Sequence, residues 1–188
     1  MLLRLLEVLV VCLVLIAPAQ AQVIEVKQFS LESTDEGHVL NADFDFTLTN
    51  RLEEALKGGV PLIFAVEFEL IHPRWYWFDE KIASARIDVR LSYNVLLRQY
   101  RLSTGSLQRN FSSFADTMNT LTRIRSWLVL ERDRISPDAS YIAAVRMRLD
   151  TTQLPRPFQL SAITDRELTL ASAWKRRPFI PETERPQR

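Results

Sequence analysis

The chain has one cysteine, two histidines and four glycines among its 188 residues, and each shortage closes off a class of chemistry. Cys12 stands alone, so no disulfide can form within the chain. A zinc site takes three or four ligands, usually with His or Cys among them. His38 and His72, far apart in sequence and without a Cys pair, do not supply them, so neither a metal nor a cofactor is expected. The glycines, Gly37, Gly58, Gly59 and Gly105, make no phosphate-cradling loop, and no G-x-S-x-G elbow presents a serine nucleophile. No catalytic residue is therefore assigned. Charge of one sign is also missing. With 24 basic against 23 acidic side chains the net charge is +1, which leaves no positive field for a polyanion, and nucleic acid is not expected as a partner.

What is present begins with an address. Met1 to Arg4 form a short basic start, Val8 to Ala17 an unbroken apolar run, and Pro18 ends it. Ala19-Gln20-Ala21 then places small residues where a signal peptidase reads, so residues 1–21 have the three parts of a secretory signal in order. The run is shorter than the ~20 residues of a bilayer span, and Glu7 beside it is unusual for a signal. An uncleaved inner-membrane anchor is the alternative. Cleavage leaves a thiol-free chain from Gln22, expected in the periplasm with no membrane span. A single domain of this length buries roughly 70% of its unfolded surface, enough to stand without disulfides.

Alternation of period two dominates the mature chain, and side chains that alternate in this way mark half-buried strands. Leu40, Ala42, Phe44, Phe46 and Leu48 interleave with polar residues. Leu62, Phe64, Val66, Phe68 and Leu70 share a second face, Ala85, Ile87, Val89, Leu91 and Tyr93 a third, and Tyr141, Ala143, Val145, Met147 and Leu149 a fourth. Weaker signals cover Val23 to Leu31, Leu96 to Leu102, Trp127 to Arg132, Phe158 to Thr164 and Glu167 to Trp174. Two segments read as helix. Asn50 is a candidate cap for Arg51 to Lys57, with Glu53 as its partner and Gly58 as the stop. Ser113 caps a second from Phe114 to about Ser126, striped by Phe114, Met118, Leu121 and Ile124. Strands in this number with few helices predict a mainly β fold, an immunoglobulin-like two-layer antiparallel sandwich over residues 22–177 with one or two short helices. A half-open sheet under the second helix is the competing layout. Residues 178–188, rich in proline, are expected to be disordered.

Two constellations stand out. Asp43 with Asp45, and Glu67 with Glu69, place like charges roughly 7 Å apart on a strand face, near the spacing of glycosidase acid and base groups. Arg86 with Arg90, and Arg146 with Arg148, alternate on outward faces as well, and cross-strand Arg–carboxylate pairs would account for both sets without catalysis. The arginine rows could also hold lipid or phosphate. The second constellation is Arg74-Trp75-Tyr76-Trp77-Phe78, four aromatics in sequence. An extended backbone would turn Trp75 and Trp77 one way and Tyr76 and Phe78 the other. The run is either a stacking or partner-binding surface or a hairpin tip folded over the core.

Several segments carry a resemblance: His72-Pro73-Arg74-Trp75-Tyr76-Trp77, Arg90-Leu91-Ser92-Tyr93-Asn94, Leu97-Arg98-Gln99-Tyr100-Arg101, Leu154-Pro155-Arg156-Pro157-Phe158 and Ser172-Ala173-Trp174. Across about Val23 to Trp174 the chain resembles a domain-of-unknown-function family of exported Gram-negative bacterial proteins, some labelled proline-rich signal peptide protein. This chain departs from that label, having little proline outside its tail. The resemblance carries no chemistry. It implies only a gene neighbourhood with an rRNA methyltransferase and a two-component sensor kinase, which makes the kinase a hint at an envelope partner. The expectation is a non-catalytic periplasmic protein that binds another protein or an envelope component, with Trp75, Tyr76, Trp77, Phe78, Arg86 and Arg90 as its surface. The alternative is a periplasmic glycan hydrolase using the paired carboxylates.

Overall fold

Apolar faces that alternate must meet another apolar face, and here they meet each other. The computed structural model describes residues 24–74, 79–131, 134–136, 139–164 and 166–181. In order these form β1 (Glu25–Thr34), β2 (Gly37–Asp45), α1 (Asn50–Lys57), β3 (Leu62–His72), β4 (Glu80–Asn94), β5 (Gln99–Thr104) and β6 (Leu107–Phe111). Then follow α2 (Phe114–Leu121), β7 (Arg123–Glu131), β8 (Tyr141–Leu149), α3 (Arg156–Thr164) and β9 (Lys175–Phe179), with 3-10 turns at Thr151–Gln153 and Arg166–Leu168. One sheet has the order β1-β2-β7, the other β6-β5-β4-β3-β8-β9. Every pairing is antiparallel. The two-layer β fold read from the sequence is the one found, with three short helices among the described residues instead of one or two.

The core lies between the layers. Leu62, Phe64, Val66, Phe68 and Leu70 of β3 are fully buried, and Phe29, Leu40, Ala42 and Phe44 face them from the smaller sheet. Each large apolar side chain so buried contributes about 1.5–3 kcal/mol. The β1 alternation is faint in the sequence because Lys27 is an extra residue, a bulge between Val26 and Gln28. The bulge turns Val26 and Phe29, three apart, toward the same core. β9 clamps the layers together: Lys175 Nζ donates to the Val26 and Lys27 carbonyls at 2.8 and 2.7 Å, and Arg177 to the Phe29 carbonyl at 3.2 Å.

Several local expectations need correction. The cap of α1 is Thr49, whose hydroxyl accepts the Leu52 amide at 3.2 Å, so Glu53 falls one residue late for a reciprocal cap. Gly58 does end that helix, and Glu53 pairs with Lys57 at 3.2 Å. Ser113 caps α2, but the helix stops at Leu121, and Ile124 belongs to β7. Phe158 to Thr164 is helix, not strand. Pro157 sits in the first turn of α3, where its missing amide hydrogen costs nothing. Glu167 to Trp174 makes only one bridge, Ala171 to Arg148. β9 runs two residues into the segment expected to be disordered, with Pro178 tolerated because the strand is paired to β8 on one side. Residues 1–21 and 182–188 lie outside the described residues.

Candidate functional site

The outer face of the six-stranded sheet gathers most of the singled-out charges. It is built by register: Glu67 on β3 stands opposite Arg86 on β4 and opposite Arg146 on β8. Two residues back along β3, Ala65 stands between Asp88 and Arg148. The small Ala65 side chain lets the Arg148 guanidinium reach diagonally to Glu67. Sign therefore alternates across three strands, which is the favourable arrangement for cross-strand neighbours.

The contacts follow from that register. Arg146 Nε donates to Glu67 Oε2, and Arg148 places Nη2 and Nε at 3.0 and 3.1 Å from Oε1. Arg86 is 3.9 Å from the same oxygen, donates its Nε to Asp88 at 2.8 Å, and gives Nη2 to Asp150 at 2.7 Å. Asp150, only 6% exposed in its side chain, also caps the turn Thr151–Gln153. It accepts from the Thr152 amide at 3.2 Å, the Thr152 hydroxyl at 2.6 Å and the Gln153 side chain at 3.3 Å. Trp174 closes one flank, its ring 4.5 Å from the Arg146 guanidinium carbon. Ser172 ties that segment to β8 by accepting the Met147 amide at 3.0 Å.

The electrostatics are those of a closed network. Three guanidiniums (Arg86, Arg146, Arg148) meet three carboxylates (Glu67, Asp88, Asp150). Burial pushes the Glu67 pKa up, but hydrogen bonds and attraction from Arg146 and Arg148 outweigh it and hold the carboxyl below its ordinary value. Asp150 behaves likewise and more strongly. Desolvation opposes its ionisation, while the Thr152 hydroxyl, Arg86 and Gln153 hold it well below the carboxylate range. Asp88 and then Asp150 push the Arg86 guanidinium further up. A general acid needs the opposite, a carboxyl raised toward neutrality.

The other candidate carboxylates are also paired. Glu69 binds Lys81, Asp45 lies 3.2 Å from Lys27, and Asp43 binds Arg125. The Gln28 amide and Arg125 hold Asp43 below its usual value. Asp43 and Asp45 are on the smaller sheet, so the two pairs do not converge. Of the arginine rows, Arg86, Arg146 and Arg148 are engaged, while Arg90 forms no ion pair among the described residues. Trp75, Tyr76, Trp77 and Phe78 lie outside the described residues, between β3 and β4. Among the described residues no group of three or more His, Cys, Asp or Glu could hold a metal, and no helix is long and apolar enough to cross a membrane.

Sequence reasoning missed three members of the network. Asp88 has a signal in the outward face it shares with Arg86 two residues away. Asp150 has a signal in Asp150-Thr151-Thr152, an acceptor two residues before the amide that it caps. Trp174 has none, because its partner Arg146 is distant in sequence. Comparison with known proteins adds the lineage but no chemistry. No curated protein and no solved structure matches the chain. The model of the domain of unknown function DUF4390 matches residues 21–178, nearly the whole sequence. The chain belongs to the DUF4390 family.

Proposed function

We propose that this chain is a non-catalytic binding domain, exported to the periplasm, that holds another protein or an envelope component. One observation carries the reading: the charged cluster around Glu67 and Asp150 is paired throughout, and these two inner carboxylates are held ionised, with neither poised to move a proton. The signal-like residues 1–21 support the compartment. The run Trp75, Tyr76, Trp77 and Phe78 supports a contact surface of aromatic side chains, a type that dominates binding hot spots, while the register sets Arg90, opposite Ile63, at the far end of β4 from that run.

The test is crosslinking in intact cells. The wild type should give a discrete adduct, and Trp75→Ala with Trp77→Ala should lose it while keeping an unchanged circular dichroism spectrum and melting temperature. An adduct retained in the double variant would move binding off this surface. Turnover of peptidoglycan fragments by the pure protein, lost in Glu67→Gln or Asp43→Asn, would replace the proposal with the hydrolase reading. Recovery of the protein in the cytoplasmic fraction would refute the compartment.

A further inference from the structure

The β4–β5 hairpin ends in three consecutive apolar residues that the core does not use. Leu96 is 93% exposed, Leu97 63% and Val95 58%. The turn itself is built: Asn94 accepts the Leu97 amide at 3.0 Å, and Arg98 closes it in the left-handed region at φ 51°. β3 pairs with β4 only as far as Leu62 opposite Leu91, so the last residues of β4 and the whole turn extend beyond it. Behind the tip lies an aromatic layer, with Tyr93 and Tyr100 at 4.8 Å and Phe114 at 5.4 Å from Tyr100. All three are half-buried.

Charge along this arm is one-sided. Between Val89 and Ala115 the sequence has Arg90, Arg98, Arg101 and Arg109 and no acidic residue; the next is Asp116. A near-neutral protein has thus placed a purely basic stretch around the most exposed apolar turn among the described residues. Aliphatic side chains are under-represented in protein hot spots, which favour Trp, Tyr and Arg in fitted pockets. A convex aliphatic turn backed by tyrosines and arginines instead matches a membrane interface. There apolar groups enter the acyl boundary, aromatic rings sit at headgroup depth and arginines meet anionic lipid.

We infer that Val95, Leu96 and Leu97 insert into the interface of a bilayer carrying anionic headgroups, with Arg98 and Arg101 on the headgroup phosphates. This narrows the proposed function to one envelope component and rests on it for the compartment alone; vesicle binding can be measured whatever the fate of the Trp75 surface.

The experiment uses the exported chain from Gln22, which has no cysteine of its own, with a single Leu96→Cys carrying an environment-sensitive nitrobenzoxadiazole label. Leu107→Cys, 74% exposed at the opposite end of β5, is the control. With vesicles of phosphatidylglycerol and phosphatidylethanolamine, the label at 96 should shift to the blue and resist aqueous quenching, while the label at 107 should not. Arg98→Gln with Arg101→Gln should raise the lipid needed on the order of fivefold per arginine. Trp75→Ala with Trp77→Ala should leave the signal intact. The inference is overturned by an unshifted label at 96, by equal shifts at 96 and 107, or by equal binding to phosphatidylcholine vesicles. A shift that tracks protein concentration without lipid would assign the tip to a second copy of the chain and overturn it as well.

Discussion

Replacing Glu67 by Gln keeps the shape of the side chain and removes its charge from the middle of three arginines. In the wild type, Glu67 accepts from Arg146 and from two nitrogens of Arg148. Hydrogen bonds to charged groups contribute about 1.5–3 kcal/mol each. Glutamine keeps one acceptor oxygen, and the Arg146 and Arg148 side chains are about a third exposed and so partly solvated. We therefore expect a net loss of about 2–3 kcal/mol at neutral pH, well below the sum of the separate bonds. For a domain of this size that lowers the melting temperature by roughly 5–10 °C. The assay is urea denaturation of both proteins from pH 8 down to pH 3. The folded-state carboxyl lies below its unfolded value near 4.5, so its contribution is complete above that pH and fades as the pH falls through the folded value. The difference between the proteins should be flat above about pH 5.5 and shrink below 4.5. A loss under about 0.5 kcal/mol at pH 7, or a loss that persists unchanged at pH 3, would refute the charge network as the cause.

Asp150→Asn should cost about 2–4 kcal/mol, combining a weakened turn cap and the charge-assisted bond to Arg86. Its folded carboxyl is also depressed, so this penalty is present above pH 4 and shrinks in acid, as measured by denaturation at several pH values. Gly37→Ala should destabilise by more than about 2 kcal/mol, because Gly37 sits at φ 145° and an added Cβ would overlap the Leu130 carbonyl oxygen across the β2–β7 pair. Hydrogen exchange should show that loss concentrated in β1, β2 and β7.

The strands that were legible in the sequence are those with a wet face and a dry one. β3 and β8 read clearly because Phe64, Val66 and Phe68 alternate with polar or small residues, as Val145 and Met147 do with arginines. β6 has almost no buried residue, and β9 little more, so alternation had nothing to mark. They exist because an edge strand can be held by backbone bonds to its neighbour. The Phe158 to Thr164 error has another source: Phe158 and Ala162, both half-buried, are four apart, a helical spacing that a short apolar stretch conceals. The pairing of outward arginines with carboxylates was readable in kind, while the identity of the centre was not. Only register decides that Glu67, and not Glu69, lies between Arg86 and Arg146.

That register also separates the two halves of the outer face. Around Glu67 the signs cancel within a few ångströms, so the network produces little field beyond its own contacts. Eight residues further along β4, at Asn94, the chain has left every acidic partner on that strand behind; at about 3.3 Å per residue this is roughly 26 Å away. The screening length at physiological salt is about 8 Å, so charge changes in one half should scarcely be felt in the other. Glu67→Gln should therefore lower stability and leave vesicle binding by the hairpin tip unchanged. Arg98→Gln, at an exposed turn outside the network, should weaken vesicle binding and leave the urea midpoint within about 0.5 kcal/mol of wild type. If instead both variants moved both quantities together, the six-stranded sheet would have to act as one electrostatic unit, and neither the stabilising role of the network nor the lipid-facing role of the tip could be argued separately.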